Sequence, residues 1–464
     1  MRHHGERATG ANKVGGACGG RAWIAVLAVV ALALAACTAG GGGAKTPTTS
    51  KTVDTTPKTI TFWEGFSANH EKAAIRAAVA KFHARYPWIT VKLTDAITDE
   101  NIVNAIHGGN PPDAAMSFTT DNVGEFCAAN AFQDLGSYAK ADGTDLSVIP
   151  QAARDYTSYK GKQCTLPMLA DTYGLYYNTD MFTKAGLDPA KPPRTMSELV
   201  ADAEKLTVRN PDGSIKVAGF VPLWGFYEAS VAHLGQSWGA QWLDADGKSN
   251  ISTDPRWAEM AKWQKQLVDW YGYKNLVKFA GQPPDEFSAQ NMFESGKLAM
   301  NLDGEWRVAF LADEKPNLNY ATAPFPAADD QPGQYGAGFV SGNIIGIPRG
   351  AKHPEQAWLL VKFLATDTAA QVGLSNDLRN VPTVTAALSS PDIKPDQHFK
   401  TFLDIFGNPK SAAVPPTPVG AALQNNFQDV LVKYQAGNVR DLQAALQGVD
   451  KTNDNQLAQQ VGAP

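Results

Sequence analysis

The sequence predicts an α/β protein with at least two lobes, and three observations support this. Short β-branched and aromatic runs alternate with segments of helical period, beginning with Lys58–Trp63 and residues 69–86. Strands that alternate with helices of this length favour a parallel sheet. About 400 residues follow the N-terminal segment, which is more than one hydrophobic core usually accommodates. Hydrophobic residues make up 44% of the 464, enough for two cores.

Charge and cysteine content exclude several classes of protein. Lys and Arg number 41 against 46 Asp and Glu, so no cationic excess exists to bind nucleic acid. With 19% charged and 9% aromatic residues, the chain is not a disordered acidic protein. Four cysteines are too few for a disulfide-framework miniprotein. We find no metal-binding motif and no phosphate-binding loop, and we expect no cofactor.

The N-terminal segment predicts where the protein works. Residues 1–21 are basic, and the apolar run that follows, residues 22–36, is too short for a transmembrane helix. Residues 1–36 therefore read as a cleaved secretory signal, with an uncut signal anchor as the alternative. Its end, Leu34-Ala-Ala-Cys37, resembles the bacterial lipobox, which implies that Cys37 is lipidated and anchors the chain to the outer face of the cell membrane. Residues 37–57, rich in Gly, Thr, Ser and Pro, predict a flexible tether.

The four cysteines divide by position. Cys18 leaves with the signal and Cys37 carries the lipid, so Cys127 and Cys164 remain in the mature chain. In an oxidising exterior we expect these two to pair. Two buried free thiols are the alternative.

The folded part divides into short elements. We predict strands at 58–63, 89–93, 113–118, 173–178, 298–302, 319–323 and 339–347. We predict helices at 69–86, 99–107, 195–206, 257–271, 287–294 and 354–364, and mainly helical structure over the last hundred residues.

Candidate binding residues cluster where predicted strands end, which is where open α/β sheets bind ligands. Aromatic residues beside Asp, Glu, Asn and Arg suit a carbohydrate, because sugar faces stack on rings while hydroxyls need polar partners. The alternative is that each Trp belongs to a core and each Asp caps a helix. The candidates are Trp63, Glu64, Ser67, Thr119, Asp121, Asp171, Tyr173, Trp224, Tyr227, Gly304, Glu305, Trp306, Ser341, Gly342, Asn343 and Arg379.

Five segments match a known family in order and spacing. They are Ile60–Trp63, Gly108–Asp113, Asp171–Phe182, Phe293–Trp306 and Pro354–Trp358. On these segments the chain resembles the extracellular solute-binding proteins of carbohydrate ABC importers, the broad family that includes maltose-binding protein.

The resemblance implies a two-lobed, periplasmic-binding-protein-like (type II) fold with a hinge and an interlobe cleft. Crossovers near Asp171, Pro324 and Arg379 would give an N-terminal lobe of 58–170 and 324–377, and a C-terminal lobe of 171–323 and 378–464. Asp171 matches an acidic ligand contact at the hinge, and Trp306 matches a sugar-stacking Trp that faces the Trp224–Tyr227 loop. Glu305 and Asn343 replace the family's usual Pro and Trp, which predicts more hydrogen bonding and less stacking than in a maltodextrin binder.

The implied function is that of a monomeric, non-enzymatic lipoprotein that captures a sugar or oligosaccharide and delivers it to permease subunits driven by an ATPase. One alternative is a binder of a non-sugar solute such as a glycerophosphodiester, since Arg379 suits a phosphate. The other is a secreted glycoside hydrolase or esterase. Ser237 lies in a G-x-S-x-G sequence, although the stretch before it looks helical, and Asp171/Glu305 or Asp303/Glu305 could form a carboxylate pair.

Overall fold

A computed structural model of the protein describes residues 54–394 and 396–461. The predicted signal, Cys18, Cys37 and the tether up to residue 53 lie outside the described residues. Within those ranges the strands are β1 (Lys58–Trp63), β2 (Ile89–Thr94), β3 (Ala114–Ser117), β4 (Leu166–Asn178), β5 (Val208–Arg209), β6 (Ile215–Val217), β7 (Met300–Gly304), β8 (Tyr320–Pro324) and β9 (Val340–Gly346).

The predicted helices form, apart from the one at 287–294 discussed below, and further helices that were not predicted lie between them. The helices of the described residues are α1 (Asn69–Arg85), α2 (Asp99–His107), α3 (Val123–Ala128), α4 (Leu135–Asp142), α5 (Gln151–Tyr156), α6 (Thr179–Lys184), α7 (Met196–Leu206), α8 (Val231–Trp238), α9 (Pro255–Tyr271), α10 (Tyr273–Ala280), α11 (Arg307–Glu314), α12 (Pro354–Thr366), α13 (Thr368–Leu378), α14 (Thr385–Leu388), α15 (Gln397–Phe406), α16 (Ala422–Gln435) and α17 (Leu442–Val461). Short 3-10 turns occupy Leu146–Val148 and Pro332–Gln334.

The main sheet is mixed, so the prediction of a parallel sheet is wrong beyond its first three strands. β1 pairs in parallel with β2 and β3, as expected for strand–helix–strand units. β9 pairs antiparallel with β3 and β4, and β4 pairs antiparallel with β7 and β8. The order is β2-β1-β3-β9-β4-β7, with β8 also against β4.

Strand β4 joins two separate hydrophobic cores. Its first half, Leu166–Thr172, pairs with β9, and its second half, Tyr173–Asn178, pairs with β7 and β8. Leu166 and Met168 pack in the hydrophobic core of the first lobe, which we call the first core. Leu175 and Tyr176 pack in the hydrophobic core of the second lobe, which we call the second core. The predicted α/β class with two lobes is therefore confirmed.

The local sequence explains how β1 packs against α1 in the first lobe. Ile60 and Phe62 alternate inward along β1, and Ile75 and Phe82 face them from α1 at helical spacing. Pro87 follows the helix and cannot continue it.

The predicted helix at 287–294 is wrong, because this segment folds as successive turns. The Asn291 side chain donates to the Glu286 carbonyl oxygen at 3.0 Å and accepts from the Phe293 amide at 2.9 Å. Such side-chain bonds to the local backbone compete with helix formation.

The two remaining cysteines pair, which confirms the expectation of a disulfide over two free thiols. Cys127 of α3 is bonded to Cys164, two residues before β4, with their Cα atoms 5.6 Å apart. The bond therefore attaches α3 to the strand that joins the two lobes. No helix within the described residues is long and apolar enough to cross a membrane.

We expect the double variant Cys127→Ser/Cys164→Ser to lose about 4 kcal/mol of unfolding free energy. The bond closes a loop with a sequence separation of 37, and a loop of that size restricts the unfolded chain by about this amount. Urea unfolding of both proteins measures the difference. Reduced wild-type protein should match the variant, and an unfolding midpoint unaffected by reductant would contradict the expectation.

Candidate ligand-binding site

A buried polar cluster lies where β4 passes from one lobe to the other. Asn380 donates through Nδ2 to Asp171 Oδ1 at 2.7 Å and to Glu305 Oε1 at 2.8 Å. Glu305 Oε2 also accepts from the Thr172 amide at 2.8 Å. Asp171 belongs to β4, Glu305 follows β7 and Asn380 follows α13, so three separate segments meet at this point.

Burial favours the protonated form of both carboxyl groups. Burial raises the pKa of Asp171 to about 7. Burial and the adjacent Asp171 carboxyl raise the pKa of Glu305 well above its usual range. Proton binding by this pair is therefore favoured near neutral pH, since two neighbouring carboxylates in a buried site cannot both ionise at low cost.

Two further buried groups beside this pair have unused hydrogen-bonding atoms. Asn343 of β9 directs Nδ2 at Asp171 Oδ2 from 3.5 Å, and its Oδ1 has no partner among the described residues. The Tyr156 hydroxyl of α5, influenced by the charges of Asp171 and Glu305, also lacks a partner among them. Buried polar atoms are normally satisfied, so these positions suit a polar ligand.

Aromatic rings surround Tyr173, the first β4 residue beyond the cluster. His233 stacks on it at a centroid distance of 3.9 Å, and Trp306 meets it edge-on at 5.5 Å. Burial lowers the pKa of His233 to about 4, so this imidazole is neutral near pH 7. A side chain on Gly304 would come within 2.3 Å of the Trp306 ring, so the glycine allows the indole to lie against β7.

A second group of carboxyls surrounds one buried cation. Arg307 pairs with Asp303 at 2.8 Å, with Glu294 at 3.0 Å and with Glu286 at 3.6 Å. Glu228 also belongs to this group through its interaction with Glu286. Burial and neighbouring carboxyls raise the pKa values of Glu228 and Glu286 because a single guanidinium cannot neutralise them all.

The first-lobe candidates at the end of β1 occupy different environments. Trp63 is half-buried, Glu64 is fully buried and Ser67 is exposed. Glu64 Oε2 accepts from the Phe66 amide at 2.6 Å, and burial raises the pKa of Glu64 to about 8. Phe118, which was not predicted, is 45% exposed and packs edge-on against Phe66.

A proline-rich strap, residues 407–421, reaches from the second lobe to α3. Val414 and Val419 pack on the second core, whereas the Thr417 backbone touches α3 so closely that a Cβ on Gly124 would lie 2.1 Å from its oxygen. The side chain of Gln424 of α16 stabilises the charged form of Asp121, which precedes α3, although burial raises the pKa of this carboxyl overall. The predicted Thr119 accepts from the Asp121 amide at 3.0 Å and so supports this turn.

The lobes also touch through α1 and α11. His70 lies 3.8 Å from Asp313, and its ring meets Phe310 edge-on at 4.9 Å. A groove of about 530 Å³ runs beside this contact and is lined partly by Ala73, Ala312 and Arg379.

The structure brings half of the predicted residues together at the junction. These are Asp171, Tyr173, Gly304, Glu305, Trp306, Ser341, Gly342 and Asn343. Ser341 pairs with Asp171 in the sheet, and a Cβ on Gly342 would lie 2.3 Å from the Leu169 oxygen.

Three predicted residues are engaged elsewhere. The Arg379 side chain donates to the Lys394 carbonyl oxygen at 3.2 Å and lies 5.7 Å from the Phe399 ring centroid. Trp224 is buried in the second core, with its amide bonded to Gln435 at 3.0 Å. The Tyr227 hydroxyl accepts from the Met292 amide at 3.1 Å.

Sequence reasoning missed Asn380, Glu228, His233 and Gln424. Asn380 follows Arg379 directly, and Arg379 adopts φ 61° as it ends α13, which separates the directions of the two side chains. Glu228 adjoins the predicted Tyr227, so the loop was recognised but not its carboxyl group. His233 and Gln424 lie on helices with no local motif, and the sequence held no signal for them.

Two lobes joined at a polar, aromatic-lined junction define a type II periplasmic-binding-protein fold. The chain belongs to the bacterial extracellular solute-binding protein family, whose sequence model matches residues 67–371. The family resemblance read from the sequence is therefore confirmed.

Individual relatives agree with this assignment. A putative binding protein of Brucella abortus (strain 2308) is 31% identical over 207 residues, which cover 44% of this chain and 47% of that protein. The chain thus matches less than half the length of that relative. A maltooligosaccharide ABC transporter solute-binding lipoprotein of Streptococcus pneumoniae (strain ATCC BAA-255 / R6) is 27% identical over 406 residues, covering 83% of this chain and 86% of that one. The mannobiose-bound structure of CpMnBP1 has a TM-score of 0.75 and 24% identity, covering 85% of this chain and 98% of that one.

We expect Asp171→Asn to flatten the pH dependence of stability. The pKa of Asp171 is about 7 in the fold against about 4 in an unfolded chain, so the folded state binds the proton more tightly. Wild-type stability therefore falls as pH rises between these values, by up to about 1.4 kcal/mol per pH unit for this group. Asparagine does not titrate and removes this contribution.

Urea unfolding at about pH 4.5, 6 and 7.5 tests this expectation. The control is Asp404→Asn, an exposed carboxylate of α15 that pairs with Lys400. Parallel pH profiles for wild type and Asp171→Asn would contradict a raised pKa of Asp171 in the folded protein.

Proposed function

We propose that this protein is the substrate-binding lipoprotein of an ABC importer, and that it binds a sugar or oligosaccharide between its lobes and delivers it to permease subunits. The observation that carries the proposal is the junction itself, where Asp171, Glu305 and Asn343 adjoin the rings of Tyr173 and Trp306. Carboxyl and amide groups beside aromatic rings suit the hydroxyls and the C–H faces of sugars. The named ligands of the Streptococcus pneumoniae and CpMnBP1 relatives support a carbohydrate.

The lobe boundaries form part of the proposal. Side chains change from the first core to the second between Leu169 and Tyr173, and again between Leu378 and Val381. Phe325 and Phe339 pack in the second core, whereas Val340 packs in the first. We therefore place the second crossover at Phe339–Val340, later than the position near Pro324 that the resemblance implied. Hinge motion at these three points would close the cleft on a ligand that favours the closed state.

A glycerophosphodiester is the second candidate, and the charges argue against it. The strongest hydrogen bonds to a phosphate come from Arg or Lys side chains. Arg307 is already paired with three carboxyls, and the Arg379 side chain is bonded to the Lys394 backbone. The carboxyl groups of Asp171 and Glu305 would repel the phosphate.

The hydrolase alternatives lack the required geometry. Ser237 lies inside α8, is 3% exposed, and its carbonyl oxygen accepts from the Ala328 amide. A nucleophile elbow needs an exposed serine after a strand. Asp171 and Glu305 bond the same Asn380 nitrogen, which leaves no room for a glycosidic bond between them. Asp303 pairs with Arg307 instead of joining Glu305.

We expect Trp306→Ala and Asp171→Ala each to weaken ligand binding by at least about 1 kcal/mol, or about fivefold in Kd. The first change removes a stacking surface and the second a charged hydrogen-bonding group. Isothermal titration calorimetry against a panel of oligosaccharides and glycerophosphodiesters measures the Kd of each protein and identifies the ligand class. Trp270→Ala and Asp404→Ala, which remove exposed side chains of α9 and α15, are the matched controls.

If both site variants bind the ligand with wild-type affinity, Trp306 and Asp171 do not contact the ligand. Preferential binding of a glycerophosphodiester would replace the sugar proposal with the second candidate. Product formation from any bound sugar would refute a purely binding role.

We also propose that Cys37 is acylated and anchors the protein to the outer face of the membrane. Residues 34–37 support this, and the Streptococcus pneumoniae relative is named a lipoprotein. Globomycin, which blocks the lipoprotein signal peptidase, should cause the uncleaved precursor to accumulate in a bacterial host. Cys37→Ser should release the protein from the membrane fraction or leave it uncleaved. Processing unchanged by either treatment would contradict the lipid anchor.

A further inference from the structure

Three carboxyl groups at the junction have no cation of their own. Asp171 and Glu305 bond the same Asn380 nitrogen, and Glu228 lies 3.2 Å from the His233 ring that stacks on Tyr173, so the three carboxyl groups surround this tyrosine. Among the described residues, none of the three pairs with a Lys or Arg. We call these three residues the acidic trio.

The basic side chains nearest the acidic trio are already paired with other groups or are neutral. Arg307 is 1% exposed and pairs with Asp303, Glu294 and Glu286. His233 lies 3.2 Å from Glu228, but its Nδ1 lies 2.7 Å from the Glu228 carbonyl oxygen and its buried ring is neutral near pH 7. The protein therefore concentrates carboxyl groups here without a Lys or Arg of the described ranges to pair with them.

An independent feature shows that this position is built for a ligand. Asn343, 2% exposed, turns its amide toward Asp171 and leaves Oδ1 without a partner among the described residues. The buried Tyr156 hydroxyl, which the charges of Asp171 and Glu305 influence, is also unsatisfied there. The free Asn343 oxygen suits a hydrogen-bond donor, and the carboxyl groups favour one that is positively charged.

Building on the proposed function, we propose that the ligand is an amino sugar, whose ammonium group sits beside Asp171 and Glu305 while its ring lies near Tyr173 and Trp306. The ammonium would replace the protons that burial favours on these carboxyl groups. A neutral sugar would leave those protons in place. The two ligand classes therefore differ in proton release as well as in affinity.

Calorimetry with a matched set of ligands tests the proposal. The β-1,4-linked glucosamine disaccharide, its N-acetylated form and cellobiose share one skeleton and differ at the 2-position. The amine should bind at least about tenfold more tightly than either neutral form. Its binding heat should also depend on the buffer's ionisation enthalpy, because protons are released to the buffer.

Variants connect this preference to the acidic trio. Glu305→Gln should reduce the ratio of amine to neutral affinity at least about tenfold. Glu228→Gln serves the same purpose if Glu305→Gln does not fold. Asp404→Asn should leave the ratio unchanged.

The possible outcomes separate this proposal from the proposed function. If neutral disaccharides, including mannobiose and maltose, bind as tightly as amino sugars, the amino-sugar proposal fails and sugar binding stands. If spermidine binds and no sugar does, ammonium recognition remains but the sugar ligand is overturned in both proposals. If none of these ligands binds, the proposed function fails and this inference fails with it.

Discussion

The hydrogen bonds among Asp171, Glu305 and Asn380 are the interaction on which the arrangement of the two lobes depends. They join β4, the end of β7 and the segment after α13, where the chain changes from one core to the other. Burying two carboxyl groups costs several kcal/mol unless each is well paired. Here the Asn380 amide nitrogen bonds both carboxyl groups and the Thr172 amide also bonds Glu305. These bonds therefore hold segments of the two lobes together at this point.

Local patterns were enough to predict much of the fold. Alternation in β1 and helical spacing in α1 are set by neighbouring residues, and both elements form where predicted. Asp171, Glu305 and Trp306 were found because strand ends and family motifs coincide there. The Cys127–Cys164 disulfide was predicted because only these two cysteines remain once the predicted signal and the lipidated cysteine are set aside. That argument depends on an oxidising compartment and not on the fold.

The missed features depend on contacts between distant segments. The first half of β4, Leu166–Thr172, is buried on both faces and has no alternation to reveal it as a strand. Strand β9 pairs antiparallel with β3 and β4, although it lies far from both in sequence. No local sequence pattern encodes the direction of such a pairing. Arg379 was chosen over Asn380 for its charge, yet a single left-handed residue decides which side chain reaches the junction.

Among the described residues, the lobes also contact each other away from the junction. His70 meets Phe310, Thr417 meets Gly124, and Gln424 lies near Asp121. An exposed pair or a single hydrogen bond contributes about 1 kcal/mol or less. The continuous strand β4 holds the junction together whether or not these contacts form. A ligand that adds a few kcal/mol of interaction between the lobes is then sufficient to determine which state is populated.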